Sequence, residues 1–241
     1  KEEMRHPEAG EFVELTDRLV NSLWSRMTKE GHTVRLCDVR SVLESEFVPE
    51  FNPFTEYFRS LPPWDGVTDH IGRLAATVHV EGDAQLFDNC FRKWLVATVA
   101  SLMVKEVTNH PILVLVGRQG CYKTTWLARL LPPELQRYFC VRSNSGRLTK
   151  DDNLALSEFA LICLEEIDEL RLGDINQLKA MVTLPAVNER RAYGHYKENR
   201  PHIASFCGTT NQPEFLNDPT GSRRWLPFTV VHIDDPYTHP V

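Results

Sequence analysis

The sequence has no CxxC pair and no cluster of cysteine with histidine. Cys37, Cys90, Cys121, Cys140, Cys163 and Cys207 stand singly along 241 residues. That scatter argues against a zinc site and for a reducing compartment in which thiols serve as small packing groups. Long apolar runs are missing too. The longest uncharged one, from Trp94 to Val104, is too short to cross a bilayer, and no basic-then-apolar leader precedes it. The expectation is a cytoplasmic protein with no membrane partner. An excess of positive charge is also absent: a net charge of −6 speaks against a general DNA-coating protein, although a local basic groove stays open. There are no internal repeats and no low-complexity tract. The 42% hydrophobic and 25% charged residues are those of an ordinary globular protein, enough for one large domain or a modest pair. The start at Lys1 and the polar close DDPYTHPV read as a piece of a longer protein, its core open to truncation at the C-terminal end.

Helical spacing appears first. Leu19, Leu23 and Met27 predict a helix over 16–29, with Thr16 as N-cap and Gly31 beyond the end. A second short helix is expected from Leu36 to Phe47. An aromatic connector over about 50–70 follows, pinned by Phe54, Tyr57, Phe58 and Trp64, with Asn52, Pro53, Asp65 and Gly66 giving it the look of a structural clasp. A long helix over 84–105 would bury Leu86, Phe87, Cys90, Phe91, Trp94, Leu95 and Leu102. The pattern changes at Pro111. ILVLVG, FALICL, HIASFCG and WLPFTVV are short apolar runs of the fully buried parallel-strand type, alternating with helical stretches. The fold class expected is therefore α/β, a parallel sheet flanked by helices. It divides as a helical N-terminal region over 1–105 and an α/β core over 106–241.

The first of these strands runs into Gly117, Arg118, Gln119, Gly120, Cys121, Tyr122, Lys123, Thr124 and Thr125. A phosphate-binding P-loop needs inward backbone N–H groups, a lysine reaching the β and γ oxygens, and a hydroxyl for Mg²⁺. Gly117 precedes Lys123 at the GxxxxGK[ST] spacing, Thr124 supplies the hydroxyl, and the following helix turns its positive end to the phosphates. The departure is Tyr122, where the motif has glycine. A bland reading, a glycine turn with a solvated lysine, competes with this one.

FALICL ends in Glu165 and Glu166. A nucleotide hydrolase needs an acid at the tip of the strand beside the P-loop to hold Mg²⁺ through water, and a second to orient the attacking water. Glu165 takes the first role and Glu166 the second. Asp168 and Glu169 read as first-turn acids of a helix. HIASFCG leads to Asn211, an amide able to contact the γ-phosphate or the water. GSRRW then places Arg223 and Arg224 together, and in ring ATPases such a guanidinium commonly reaches a neighbour's site.

Together these segments resemble a superfamily 3 helicase core of the AAA+ type and, more closely, the virulence-associated E (VirE-like) proteins of bacterial mobile elements and prophages. The likeness rests on NPFTEYFRSLPPWDG, LVGRQGCYKTTWLARLLP, LEEIDEL, RRAYGHYKENRP and FCGTTNQPEFLNDPTGSRRW, in that order, across residues 50–231. It implies ATP-driven action on single-stranded or duplex DNA in replication, a homo-oligomeric ring, and a primase domain or partner alongside. It carries Lys123 and Thr124 over as the phosphate-loop pair, Glu165 and Glu166 as the second motif, Asn211 as the sensor, and Arg223 or Arg224 as the arginine finger. A hairpin over 188–202 would project toward DNA. There Arg190, Arg191, Lys197 and Arg200 follow phosphates while Tyr193 and Tyr196 stack on bases. The competing view is a solvated hairpin whose arginines pair with neighbouring acids. Two other functions share the residues: a nucleotide-dependent loading switch that does not unwind DNA, and, less well matched, a P-loop phosphotransferase.

Overall fold

The computed structural model describes residues 3–5, 12–49, 51–143, 149–190, 196–212, 223–235 and 237. They fall into two compact units, Lys1–Pro53 and Phe54–Val241.

The first unit holds a short antiparallel pair, β1 (Glu3–Arg5) and β2 (Phe12–Glu14), and the helices α1 (Asp17–Lys29) and α2 (Leu36–Leu43). Thr16 caps α1, its hydroxyl accepting from the Leu19 amide at 3.2 Å, and Gly31 beyond the helix end takes φ +88°. The second helix stops at Leu43 rather than reaching Phe47, which is 89% exposed. At that exposure Phe47 gains little burial that would hold a further turn.

The second unit begins with α3 (Pro53–Ser60) and α4 (His70–Ala75) and continues into β3 (Val78–Val80) and α5 (Ala84–Met103). After these come β4 (Ile112–Val116), α6 (Lys123–Ala128), β5 (Phe139–Ser143), α7 (Lys150–Ala155) and β6 (Leu161–Glu165). The series closes with α8 (Leu172–Val182), β7 (Ala186–Glu189), β8 (Glu198–Pro201), β9 (Ser205–Thr210) and β10 (Trp225–Ile233). Six strands form one sheet in the order β3-β10-β4-β9-β6-β5, parallel except for β3 at the edge. This is the mixed α/β sheet with flanking helices that the alternating pattern anticipates.

Two strands of this sheet escaped the sequence pattern. β5 is half-exposed and β3 is only three residues long, so neither shows a continuous apolar run. The order carries one correction. The strand ending in Glu165 is not beside the strand that feeds the glycine loop, because β9 lies between β4 and β6. Neighbourhood in a sheet is set by crossovers, which sequence order does not reveal.

Both faces of the sheet are buried, which explains its unbroken apolar strands. Along β4, Leu113 and Leu115 join one core, while Ile112, Val114 and Val116 join the other. The first core receives α5 through Phe87, Phe91, Trp94 and Leu102. The second receives α8 through Ile175, Leu178, Met181 and Val182. A boundary near residue 105 would part α5 from the strands it covers, whereas the observed units keep it with the sheet. Buried positions 87, 91, 94, 98 and 101 on α5 follow the three-and-four spacing of one helical face, and Leu86, expected inside, is 53% exposed.

Polar bonds fix α5 along β9. The Asn109 amide nitrogen donates to the Trp94 carbonyl (3.1 Å), the Thr98 hydroxyl (3.0 Å) and the Ser205 hydroxyl (3.1 Å). The Trp94 indole donates to the Phe206 carbonyl at 3.2 Å. In the connector, Phe54 is buried and Tyr57 and Phe58 pack on the core, but Trp64 is 67% exposed and does not pin it. Its indole closes a local turn on the Thr68 carbonyl, and Asp65 accepts from the Val67 and Thr68 amides. These bonds, led by the Thr68 hydroxyl, hold the Asp65 carboxyl down at about 2. No described helix is long and apolar enough to cross a membrane.

Candidate functional site

In an open α/β sheet, the carboxyl ends of the strands are where ligands bind. At that end the chain brings together the tips of β4, β9 and β6. The tip of β4 opens into residues 117–122, and α6 starts at Lys123. α6 has only six residues, so its own hydrogen bonds do not set its direction; packing does. Trp126 and Leu127 are buried, with Trp126 against Phe91 at 5.4 Å and its indole donating to the Thr77 hydroxyl at 2.8 Å. Lys123 lies on the same inward face, three and four residues before them.

Lys123 is 8% exposed, and a buried ammonium must place its three hydrogens. They go to the carbonyls of Gly117 (2.7 Å) and Arg118 (2.8 Å) and to the Asn211 amide oxygen (3.2 Å). The Cys121 sulfur stands 3.8 Å away. The bland reading of a solvated lysine is thereby set aside. Gly117 has little room for a side chain, since a Cβ would lie 3.0 Å from the Val230 carbonyl. Gly120 takes φ +82° and Tyr122 takes φ 62°, so the loop passes twice through the left-handed region, once at a residue with a side chain. Arg118 and Gln119 are exposed at its crest, while Thr125 is half-buried.

The Thr124 hydroxyl donates to Glu165 at 3.0 Å, joining α6 to the end of β6 across the loop. Glu166 follows with φ 53° and is exposed. Behind it is a single 3-10 turn, Ile167–Glu169. Asp168 and Glu169 lie in the first turn of this short helix, as expected. Asp168 is also half-buried and accepts from the Thr210 hydroxyl at 2.6 Å, tying the acidic turn to β9. Thr210 also holds the start of the next segment, its oxygen accepting from the Gln212 amide at 3.1 Å, while its carbonyl accepts from the Gly117 amide at 3.1 Å. Sequence reasoning missed Thr210 and its bond to Asp168. The signal was the hydroxyl preceding Asn211 at a strand tip.

Gly208 is the second residue that the reading passed over. A Cβ there would meet the Ile167 Cδ1 at 2.2 Å and the Leu164 carbonyl at 3.0 Å. Its lack of a side chain lets the acidic turn pack against β9.

Arg223 and Arg224 do not join this cluster. The Arg224 carbonyl accepts from the Ile112 amide at 2.7 Å, at the opening end of β4. From Ile112 to Val116 a parallel strand rises about 13 Å, so the arginines sit at the opposite end of the sheet from Lys123. Arg223 is exposed and Arg224 half-buried.

The two arms of the expected hairpin exist as β7 and β8, antiparallel with Glu189 opposite Glu198. Arg191 and Tyr193 lie outside the described residues. Arg190, Tyr196 and Lys197 are exposed, Tyr196 at 84%. Arg200 behaves as the competing view has it: its side chain is 13% exposed and pairs with Glu198. It is not presented to solvent as a phosphate contact would be.

The model of the virulence-associated protein E-like domain matches residues 59–239. This chain belongs to that family. The match takes in the glycine loop, the Glu165–Asp168 turn, the β7–β8 arms and the β9 tip. Two solved structures with a similar fold are apo forms of the C-terminal region of NrS-1. One is 15% identical with a TM-score of 0.51, covering 72% of this chain and 39% of that one. The other is 11% identical with a TM-score of 0.54, covering 77% and 42%. At such identities the likeness is one of fold, and the family member here spans about two fifths of the NrS-1 region. A search among curated proteins finds no match.

Proposed function

We propose that the chain is the motor core of a replication protein of a mobile element or prophage, a P-loop ATPase of the superfamily 3, AAA+ type that acts on DNA. The observation that carries this reading is the convergence at one end of the sheet: Lys123 with Asn211 at 3.2 Å, and Thr124 with Glu165 at 3.0 Å. Three strand tips far apart in sequence supply a cation, a hydroxyl–carboxylate pair and an amide. Those are the groups that triphosphate hydrolysis requires. Family membership supports a setting in replication.

In this reading Lys123 leaves the loop carbonyls for the β and γ oxygens of ATP, whose phosphates the backbone of 117–122 surrounds. Thr124 and Glu165 are an all-oxygen pair. That suits Mg²⁺, a hard cation that keeps waters and phosphate oxygens as its other ligands. Magnesium, when bound, neutralises charge on the phosphate oxygens. Glu166, exposed at the edge of the turn, orients the attacking water and accepts its proton. Asn211 contacts the γ-phosphate and, through the adjoining Thr210, reports its presence to the Asp168 turn.

An arginine at the far end of the sheet cannot serve this site within one subunit. Arg223 or Arg224 therefore acts on the site of a neighbouring copy, as in a ring. Arg190, Lys197 and Tyr196 form the DNA-facing part of the hairpin.

The deciding measurement is the ATP hydrolysis rate with and without single-stranded DNA, beside Lys123→Ala. Hydrolysis stimulated by DNA and abolished in Lys123→Ala is the expected result. Hydrolysis unaffected by Lys123→Ala would end the P-loop assignment. DNA-stimulated turnover without strand separation would identify a loading switch instead of a helicase.

A further inference from the structure

The loop position that the phosphate motif reserves for glycine carries Tyr122, held at φ 62° and ψ 15°. Glycine takes this conformation freely and a residue with a Cβ does not, so the side chain is the feature to explain. Tyr122 is 41% exposed, and its ring meets the Tyr237 ring edge-on, with centroids 6.3 Å apart at 71°. The guanidinium of Arg129, at the end of α6, lies 4.4 Å from the centre of the Tyr237 ring. Tyr237 itself is 68% exposed.

The fold brings this group to the phosphate loop for a definite reason. β10 runs parallel to β4 with Thr229 opposite Val116, then continues to Ile233. The chain that follows it emerges at the same end of the sheet as residues 117–122. The Asp234 amide bonds to the Thr77 carbonyl at 2.9 Å, and Asp235 accepts from the Tyr237 amide at 2.9 Å, turning Tyr237 back toward α6. Two solvent-facing rings, one of them on the residue before Lys123, and a stacked guanidinium thus stand together beside the loop. Flat π surfaces and guanidinium planes are what a nucleobase stacks on.

We propose that Tyr122, Tyr237 and Arg129 form the platform for the base of the nucleotide whose phosphates the loop binds. This rests on the phosphate-loop reading above and adds to it the place of the base. Stacking uses the face that every base possesses, so the platform favours a nucleotide over bare polyphosphate without strict choice among bases.

Calorimetric binding of ATP and of inorganic tripolyphosphate to the whole chain separates the two layers of the inference. Tyr237→Ala is expected to weaken ATP binding roughly 5- to 140-fold, the range for loss of one base–aromatic stack. Tripolyphosphate binding should be unchanged, and Tyr237→Phe should keep the ATP affinity. ATP binding equal to that of the unmodified chain in Tyr237→Ala would overturn the platform while leaving the phosphate loop standing. Equal weakening of ATP and tripolyphosphate would also overturn it, because the ring would then be shaping the loop. Tripolyphosphate binding indifferent to Lys123→Ala would remove the phosphate reading and the platform with it.

Discussion

Replacing Gly208 with alanine tests the link between the central strand and the acidic turn. Gly208 lies on β9 between Val114 of β4 and Leu164 of β6. An added Cβ would stand 2.2 Å from Ile167 Cδ1, 3.2 Å from Ile167 Cγ1 and 3.0 Å from the Leu164 carbonyl. The first contact cannot persist. Ile167 is 1% exposed, so its side chain has no open space to move into. Overpacking of this kind costs about 1–3 kcal/mol, or roughly 2–12 °C in melting temperature for a unit of this size. Ile167→Val deletes the clashing Cδ1 and by itself costs about 0.5–1.5 kcal/mol. In the double variant the overlap is relieved, so the combined loss should fall short of the sum by roughly 0.5–3 kcal/mol. Urea denaturation of the four proteins gives the cycle, and ATP hydrolysis follows the displacement of Glu165 and Glu166. Gly208→Ala with unaltered stability, or strictly additive losses, would refute the idea that this glycine seats the turn.

Thr210→Val should disconnect the β9 tip from Asp168 and cost about 1–3 kcal/mol, the penalty for stranding a hydrogen-bonded acceptor. A larger fall in hydrolysis than in nucleotide affinity would mark a positioning role, and equal losses would mark plain destabilisation. His202 is buried, and that burial pushes its imidazole below the usual 6.5, against the opposing bond to the Leu184 carbonyl. The unfolded chain therefore takes up this proton near pH 6.5 while the native chain does not until lower pH. The stability involved is whole above 6.5 and is lost as pH falls below it. Denaturation midpoints from pH 8 to 5 should fall less steeply in His202→Gln, and parallel curves would show the group to be irrelevant. Removing Arg190 and Lys197 together should lower the slope of log affinity against log salt by roughly 1–2 for single-stranded DNA. An unchanged slope would take the hairpin out of the DNA path.

The sequence by itself determined the elements whose residues act locally. The Thr16 cap, the α5 face and the apolar runs of β4, β6, β9 and β10 follow from periodicity and capping, because those depend on neighbours within a few positions. It also pointed to Lys123 and Thr124 through the spacing of the phosphate motif, to Glu165 through two acids closing an apolar run, and to Asn211 through the family resemblance. The meeting of those residues was decided by the tertiary structure. The order β10-β4-β9-β6-β5 sets β9 beside β4 and so brings Asn211 to Lys123, and crossovers leave no mark on local sequence. The parallel run of β10 keeps Arg224 at the opening end of β4, away from both. The fully buried strands could be recognised as strands but not ranked. The same holds for Gly208, whose neighbour Ile167 is distant in sequence, and for Asp168, whose partner Thr210 belongs to another strand. Tyr237 is the extreme case: a residue of a polar tail becomes part of the site because β10 ends beside the loop.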